Sequence, residues 1–291
     1  MLSIVTINYN GTEKTKKLLE SLAGQTDKDF EIIVVDNASE EPDFQKLNSE
    51  ILGLRSLSIK LIKNFENLGF SGGCNTGIKE TLKTGSEWVV LLNNDAWVEN
   101  DFVTRLKANL SGLAGIAGIP LIEDGKTAYA GKIEWLKPTL SHIYKPDPLL
   151  LTTNYYVIGG GMVIYKNVFD KIGFFNEKYF LYFEDADFSL RALKAGFPVT
   201  ILKEPKAHHG VSATTSKLGS PLLLRYHYRN ALYFNLKNGP HYLKAVLWLW
   251  RLSIMTKQLI KIALNKNRRE SLAILNGVFD YYKRRYGKIQ A

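Results

Sequence analysis

The chain has 291 residues, 45% of them hydrophobic, enough to bury a large core as one big domain or one domain with an appendage. A lone cysteine, Cys74, excludes a disulfide framework and fits a reducing compartment. The formal charge of +10 suggests a nucleic acid or a membrane, but residues 1–236 hold 26 basic and 26 acidic side chains while residues 237–291 hold 12 and 2, so the body is neutral and the excess sits in the tail.

Met1 to Ile7 reads as a strand and lacks the basic region, long apolar region and cleavage site of a signal peptide, so a cytoplasmic protein is expected. After the apolar strand Leu2 to Ile7, Asn8-Tyr9-Asn10-Gly11 turns the chain into a helix with Leu18, Leu19 and Leu22 at helical spacing. Phe30 to Val35 is a second strand closing on Asp36-Asn37, and Leu57 to Ile62 a third. Asn67 to Asn75 then opens a helix through Thr81, and Trp88 to Leu92 is the fourth strand. Strand and helix alternating at this spacing predict an α/β fold, a mostly parallel sheet with right-handed crossovers and helices on its faces.

Ligands of open α/β sheets bind beyond the carboxyl ends of the strands, and Leu91-Leu92-Asn93-Asn94-Asp95 delivers three polar side chains there. A carboxylate at that edge suits a hard divalent cation; otherwise Asp95 caps the helix beginning near Asn100. Asp36 either accepts from a nucleotide's ribose or base, or caps the next segment. The glycine-rich turn from Gly69 lacks G-x-G-x-x-G spacing, but it lets backbone amides approach phosphate or ribose oxygens; packing at a helix entrance is the other reading.

Between Gly112 and Thr153 the pattern loosens into short strands, including Ala114 to Ile122 and the Tyr129 to Tyr144 region, where an acceptor could be chosen. Gly159-Gly160-Gly161 inside an apolar frame implies backbone pressed against a ligand, or a bulge or tight packing on the sheet. Glu184, Asp185 and Asp187 cluster at a helix amino end, where the helix dipole is expected to lower their pKa and keep them ionised, making a candidate general base. Asp187 stands four residues before Arg191 and is expected to pair with it. Pro198 to Leu202 is a further strand, and His208-His209 after it could complete a metal shell begun by Asp95.

Tyr242 to Leu264 is a long helical pattern with Trp248, Leu249, Leu252, Met255, Leu259 and Ile260 on one side and Lys244, Arg251, Lys257 and Lys261 mostly on the other. Arg251 falls too centrally for a membrane span, so the helix is expected to lie in an anionic membrane interface, helped by Lys283-Arg284-Arg285 beside three tyrosines. Packing on the body or a homo-oligomer contact are the rival uses. The tail shows no recognised nucleic-acid motif, which argues against a nucleic-acid partner.

Taken together, Thr6-Ile7-Asn8-Tyr9-Asn10-Gly11, Val34-Val35-Asp36-Asn37, Asn67 to Gly73, Leu91 to Asp95, Phe180 to Asp187 and His209-Gly210-Val211-Ser212 resemble the inverting glycosyltransferases of family two, with the GT-A fold, and within them the rhamnosyltransferase-like group. The resemblance covers residues 1–236, the expected catalytic domain, with residues 237–291 a basic helical extension. It implies a nucleotide-diphosphate sugar donor, a saccharide or lipid-linked saccharide acceptor, and a role in cell-surface polysaccharide synthesis at the inner face of the cell membrane. Thr6, Asn8 and Asp36 would hold the nucleotide, Gly69 to Asn75 would approach the ribose and sugar, and Asn94 and Asp95 would meet the diphosphate. Asp95 and His209, preferred narrowly to His208, would ligate Mn²⁺ or Mg²⁺. Asn93-Asn94-Asp95 stands where many relatives carry Asp-x-Asp, so a single carboxylate serves the metal. Asp185 would be the base, with Gly160 and Glu184 on the acceptor side. A nucleotide-sugar-binding protein without transferase activity is the alternative for the body, and nucleic-acid binding by the basic tail is the other.

Overall fold

A computed structural model describes residues 1–136, 139–145, 154–210 and 220–290. In chain order the first half runs β1 (Leu2–Asn8), α1 (Thr12–Ala23), β2 (Glu31–Asp36), α2 (Glu41–Gly53), β3 (Ser58–Lys63), α3 (Gly69–Lys83), β4 (Trp88–Leu92), β5 (Ala96–Val98) and α4 (Phe102–Leu110). Short strands follow: β6 (Ile116–Gly118), β7 (Leu121–Glu123), β8 (Lys126–Ala128), β9 (Ala130–Glu134), β10 (Thr139–Ile143) and β11 (Tyr155–Tyr156). Then come β12 (Gly161–Tyr165), α5 (Lys166–Ile172), α6 (Glu184–Lys194), β13 (Val199–Ile201), β14 (Ala207–His209) and three helices, α7 (Pro221–Asn238), α8 (Leu243–Ala263) and α9 (Arg268–Tyr282).

The main sheet has seven strands in the order β13-β6-β12-β4-β1-β2-β3. β1 lies parallel to both β2 and β4, and β2 parallel to β3, as the alternating pattern predicts. β12 runs antiparallel to β4 and β6, so the sheet is mixed. Alternate residues of the inner strands feed two cores. Ile4, Ile32, Val34, Val90 and Leu92 pack with Leu18, Leu22, Phe102 and Leu106 of α1 and α4 on one face. Val5, Ile33, Val35, Val89 and Leu91 pack with Cys74, Ile78, Phe188 and Ala192 of α3 and α6 on the other. Edge strand β3 instead exposes Ser58, Lys60 and Lys63, a lysine-bearing edge that resists further strand pairing.

Two small sheets, β5-β14-β7-β8 and β10-β9-β11, stand beyond the carboxyl end of β4. They are built from the loosened stretch together with the segments after β4 and β13. α7 joins the body through a third core, in which Ala231 and Phe234 meet Tyr179, Phe183, Ala186 and Leu190. α9 lies tight along α7: a Cβ on Gly277 would come 2.5 Å from the Arg225 carbonyl oxygen. Arg225 also makes a two-bond pair with Asp280, at 2.6 and 3.1 Å.

Candidate active site

The end of β1 carries a closed polar network. Asn8 donates to Asp36 Oδ1 (3.1 Å), Ser39 Oγ (3.1 Å) and Asp43 Oδ2 (3.0 Å), and accepts from the Thr15 hydroxyl at 2.9 Å. Asp36 Oδ2 takes the Ser39 backbone N–H at 3.1 Å, and Asn94 Nδ2 donates to Thr15 Oγ1 at 3.1 Å. Asn8, Asp36 and Thr6 are fully buried, and the Thr6 hydroxyl has no partner among the described residues. Asn75 is buried too, tied to the Phe175 backbone on both sides (3.0 Å each) and to Glu177 at 2.8 Å. These contacts give Asn8, Asp36 and Asn75 a bracing role beside the donor-binding role expected of them. Strand pairing carries Thr6 inside the sheet, and the polar groups of the other three brace the turns. The half-exposed Asn94 ties β4's end to this scaffold.

Gly69 does what its residue type suggested. Its φ is +70°, and a Cβ there would lie 2.3 Å from the Phe180 carbonyl oxygen. That carbonyl accepts from the N–H of Phe70 at 2.8 Å, capping the start of α3.

Asp95 does not cap a helix, because β5 intervenes and α4 begins at Phe102. Its Oδ1 lies 3.1 Å from His209 Nε2, with Lys14 Nζ 3.8 Å from Oδ2. β14 pairs antiparallel with β5, placing His208 beside Trp97 and His209 beside Ala96, and successive side chains of a strand point to opposite faces. His208 turns outward, stacked on Trp97 at 3.5 Å between ring centroids and 3.1 Å from Glu99. His209 turns inward to Asp95, as preferred. Val211 and Ser212 of the same motif lie outside the described residues.

Two further residues join the site. Glu123, closing β7, takes His209 Nδ1 at 2.9 Å and His142 Nδ1 of β10 at 3.1 Å on its two oxygens. Burial would raise the Glu123 pKa, but the hydrogen bonds from His142 and His209 outweigh it and pull it to about 2. Burial would likewise lower His209, yet its bonds to Asp95 and Glu123 lift it to about 9. The signal for Glu123 was the one used for Asp95, a carboxylate ending an apolar run. His142 offered no sequence signal.

A carboxylate–imidazole pair with the second ring nitrogen held by Glu123 is a donor set that fits a divalent cation: one hard oxygen, one nitrogen, and an outer carboxylate that orients the ring. No third His, Cys, Asp or Glu completes a cluster among the described residues, which suits a cation sharing its shell with substrate phosphates.

Asp185 accepts the Gly159 N–H at 3.0 Å through Oδ2 and the Ala186 N–H at 2.8 Å through Oδ1. Glu184 is buried, and its Oε2 has no partner among the described residues. Of the three carboxylates at the helix start only Asp187 has its pKa lowered, its burial outweighed by Lys237 and Arg191; Glu184 and Asp185 go the other way. Burial, then the Asp185 charge, pushes Glu184 well up, and burial pushes Asp185 up against the opposing amides. Desolvation outweighs the dipole because the pair lies inside the protein. The two amide bonds favour the charge on Asp185, leaving Glu184 the neutral member. Asp187, also fully buried, pairs with Arg191 at 2.8 Å as expected, and with Lys237 at 2.9 Å.

The two halves of the site meet at the triple glycine, where tight packing explains all three residues. A Cβ on Gly159 would come 3.3 Å from Asp185 Cβ, one on Gly160 2.8 Å from Asn93 Nδ2, and one on Gly161 2.8 Å from Leu121. Asn93 donates its N–H to the Gly160 carbonyl at 3.1 Å, and its amide lies 3.1 Å from His209 Nε2. Asp185 and the Asp95–His209 pair thus flank one two-residue turn.

The chain is 24% identical to the dTDP-rhamnosyl transferase RfbF of Shigella flexneri, over 94% of each chain. It is 21% identical to the N-acetylglucosaminyl-diphospho-decaprenol L-rhamnosyltransferase of Mycobacterium tuberculosis, over 95% of this chain and 98% of that one. The crystal structure of GalNAc-T7 with UDP, GalNAc and Mn²⁺ superposes with a TM-score of 0.62 at 18% identity, covering 79% of this chain and 47% of that one, less than half its length. The last likeness shows the fold, the GT-A arrangement that the resemblance implied. The sequence model described as "Glycosyl transferase family 2" matches residues 3–173, more than half of the chain, and the protein belongs to that glycosyltransferase family.

Proposed function

We propose that this chain is an inverting glycosyltransferase that moves a sugar from a nucleotide-diphosphate donor to a hydroxyl of a saccharide or lipid-linked saccharide in cell-surface polysaccharide synthesis. The observation that carries the proposal is the placing of Asp185 and the Asp95–His209 pair on either side of the Gly159–Gly160 turn. Asp95 and His209 would hold Mn²⁺ or Mg²⁺, which would supply charge neutralisation for a departing diphosphate. Asp185 accepts the proton of the attacking hydroxyl; its raised pKa makes it a stronger base than an exposed aspartate, and its two backbone bonds aim it. Neutral Glu184 beside it avoids a second buried charge. Gly160 keeps the turn open enough for Asn93 to stand between the two halves.

The relatives named as acting with dTDP-rhamnose and on a diphospho-decaprenol favour a deoxyhexose donor and a lipid-linked acceptor here. The exposed α8 face supports docking to an anionic membrane from the cytoplasmic side. Trp248, Leu249, Leu252, Leu259 and Ile260 are each 41–62% exposed on a helix that also carries Arg251, Lys257 and Lys261. Among the described residues no helix is long and apolar enough to cross a membrane. In this reading residues 1–236 form the transferase body and residues 237–291 the docking extension.

The test is nucleotide release from a panel of nucleotide sugars mixed with a crude lipid-linked saccharide fraction. Asp185→Asn should lose 99% or more of transfer, on the order of the two to four decades that a general base supplies, while UDP and dTDP still bind. An Asn variant keeping more than about a tenth of the rate removes Asp185 from this role.

A further inference from the structure

Helix α7 directs two polar side chains, Arg229 and Asn230, into the protein, and both are 0% exposed. The guanidinium donates to Arg285 O (3.2 Å), Gly287 O (2.8 Å), Lys178 O (3.3 Å), Tyr179 O (3.0 Å) and Asn230 Oδ1 (2.9 Å). Spending a buried charge on backbone carbonyls is an expensive way to fill a core that an apolar side chain could pack. What the arginine adds is orientation. With Oδ1 taken by Arg229, the Asn230 amide nitrogen points at the chain before α6, donating to Tyr179 O (2.8 Å), Leu181 O (2.7 Å) and Tyr182 O (3.2 Å).

That chain is strained. Phe180, Tyr182 and Phe183 have φ of +63°, +70° and +73°, left-handed values that side chains other than glycine resist. The loop also joins the two reacting sides. The Phe180 carbonyl caps α3 through the N–H groups of Phe70 (2.8 Å) and Ser71 (3.4 Å), at the glycine turn. Four residues on, the loop enters α6 at Glu184 and Asp185. The carboxyl-terminal segment closes the arrangement from outside: Gly287 N–H donates to Lys178 O at 2.8 Å and Ile289 N–H to the Tyr226 hydroxyl at 2.7 Å.

We infer that Asn230, aimed by Arg229 and locked by residues 285–287, is a positioning residue for sugar transfer, holding the left-handed loop 179–183 so that Asp185 faces the donor-side turn at Gly69–Ser71. The inference rests on Asp185 being the base, and its first readout is independent of that assignment. In the full-length protein, Asn230→Ala should speed amide hydrogen exchange across residues 179–187 at least tenfold, leaving the strands of the main sheet unchanged. It should lower kcat at least tenfold, with the KM of whichever nucleotide sugar turns over, and the affinity for UDP with Mn²⁺, within threefold. Adding Tyr182→Gly, which accepts a positive φ without strain, should recover at least threefold of the lost kcat. Unchanged loop exchange, or kcat falling only in step with nucleotide affinity, overturns the inference. If Asn230→Ala does not fold, Arg229→Lys, which keeps a cation but cannot make the Nε bond to Asn230, is read by the same measurements. If Asp185→Asn retains its rate, the base assignment falls, while loop exchange in the Asn230 variant still decides whether the clamp exists.

Discussion

Glu123→Gln is the sharpest perturbation of the proposed cation site, because this one carboxylate touches neither donor atom and acts through a ring. Its two oxygens take the Nδ1 groups of His209 and His142 at 2.9 and 3.1 Å, and with its pKa pulled to about 2 it is ionised at any working pH. With the Nδ1 proton held by Glu123, Nε2, 3.1 Å from Asp95, is the nitrogen that would give up its proton to ligate a cation. A glutamine has one acceptor oxygen for two N–H groups and carries no charge, so one ring is left facing an amide N–H. Loss of such an outer partner costs about 10- to 100-fold in metal affinity, or roughly 1.4 to 2.7 kcal/mol. The upper end is expected, because the charge and one of two hydrogen bonds go together. The assay is titration of Mn²⁺ in the presence of saturating UDP, by calorimetry or by the paramagnetic signal of the free ion. Asp185→Asn serves as the control, expected to bind Mn²⁺ like the parent. A Glu123→Gln enzyme that binds Mn²⁺ within about threefold of the parent refutes the reasoning, as does a control weakened to the same degree.

Two other outcomes are expected. His227 packs against the rings of Phe183 and Tyr228, at 5.3 and 5.7 Å between centroids, and burial lowers its pKa from 6.5 to about 4. It is neutral in the fold while the unfolded chain protonates near 6.5, so stability present above that pH is lost as pH falls towards 4, by up to roughly 3 kcal/mol. His227→Phe should flatten the urea midpoint between those pH values; an unaltered slope contradicts the assignment. Replacing Leu252 and Leu259 together by Glu, on the exposed face of α8, should abolish flotation with vesicles rich in anionic lipid without changing nucleotide binding. Flotation equal to that of the parent would place membrane attachment elsewhere.

Much of the scaffold was legible because its signals are local. An apolar run of four or five residues between turn signals marks a buried strand whatever lies around it, and the runs at Leu2, Phe30 and Trp88 each became inner strands of the main sheet, with the alternating stretch from Leu57 its exposed edge. A carboxylate ending such a run is equally visible, and Asp95 stands beside His209. The ionisation of Glu184 and Asp185 was read with the wrong sign, since a helix dipole can be seen in a sequence and the depth of burial cannot.

The sequence by itself determined the parallel half of the sheet, the polar ends of its strands, the pairing of Asp187 with Arg191 and the segregation of charge into the tail, all set by residues within about one turn or one strand of each other. Only the tertiary structure decided that Asn8 and Asp36 brace each other. It also decided that Glu123 reaches across 86 positions to orient His209, and that Asn230 holds a loop some 50 positions earlier. Those partners meet through strand register and helix packing, and no short stretch of sequence encodes the distance between segments that fold independently onto a common core.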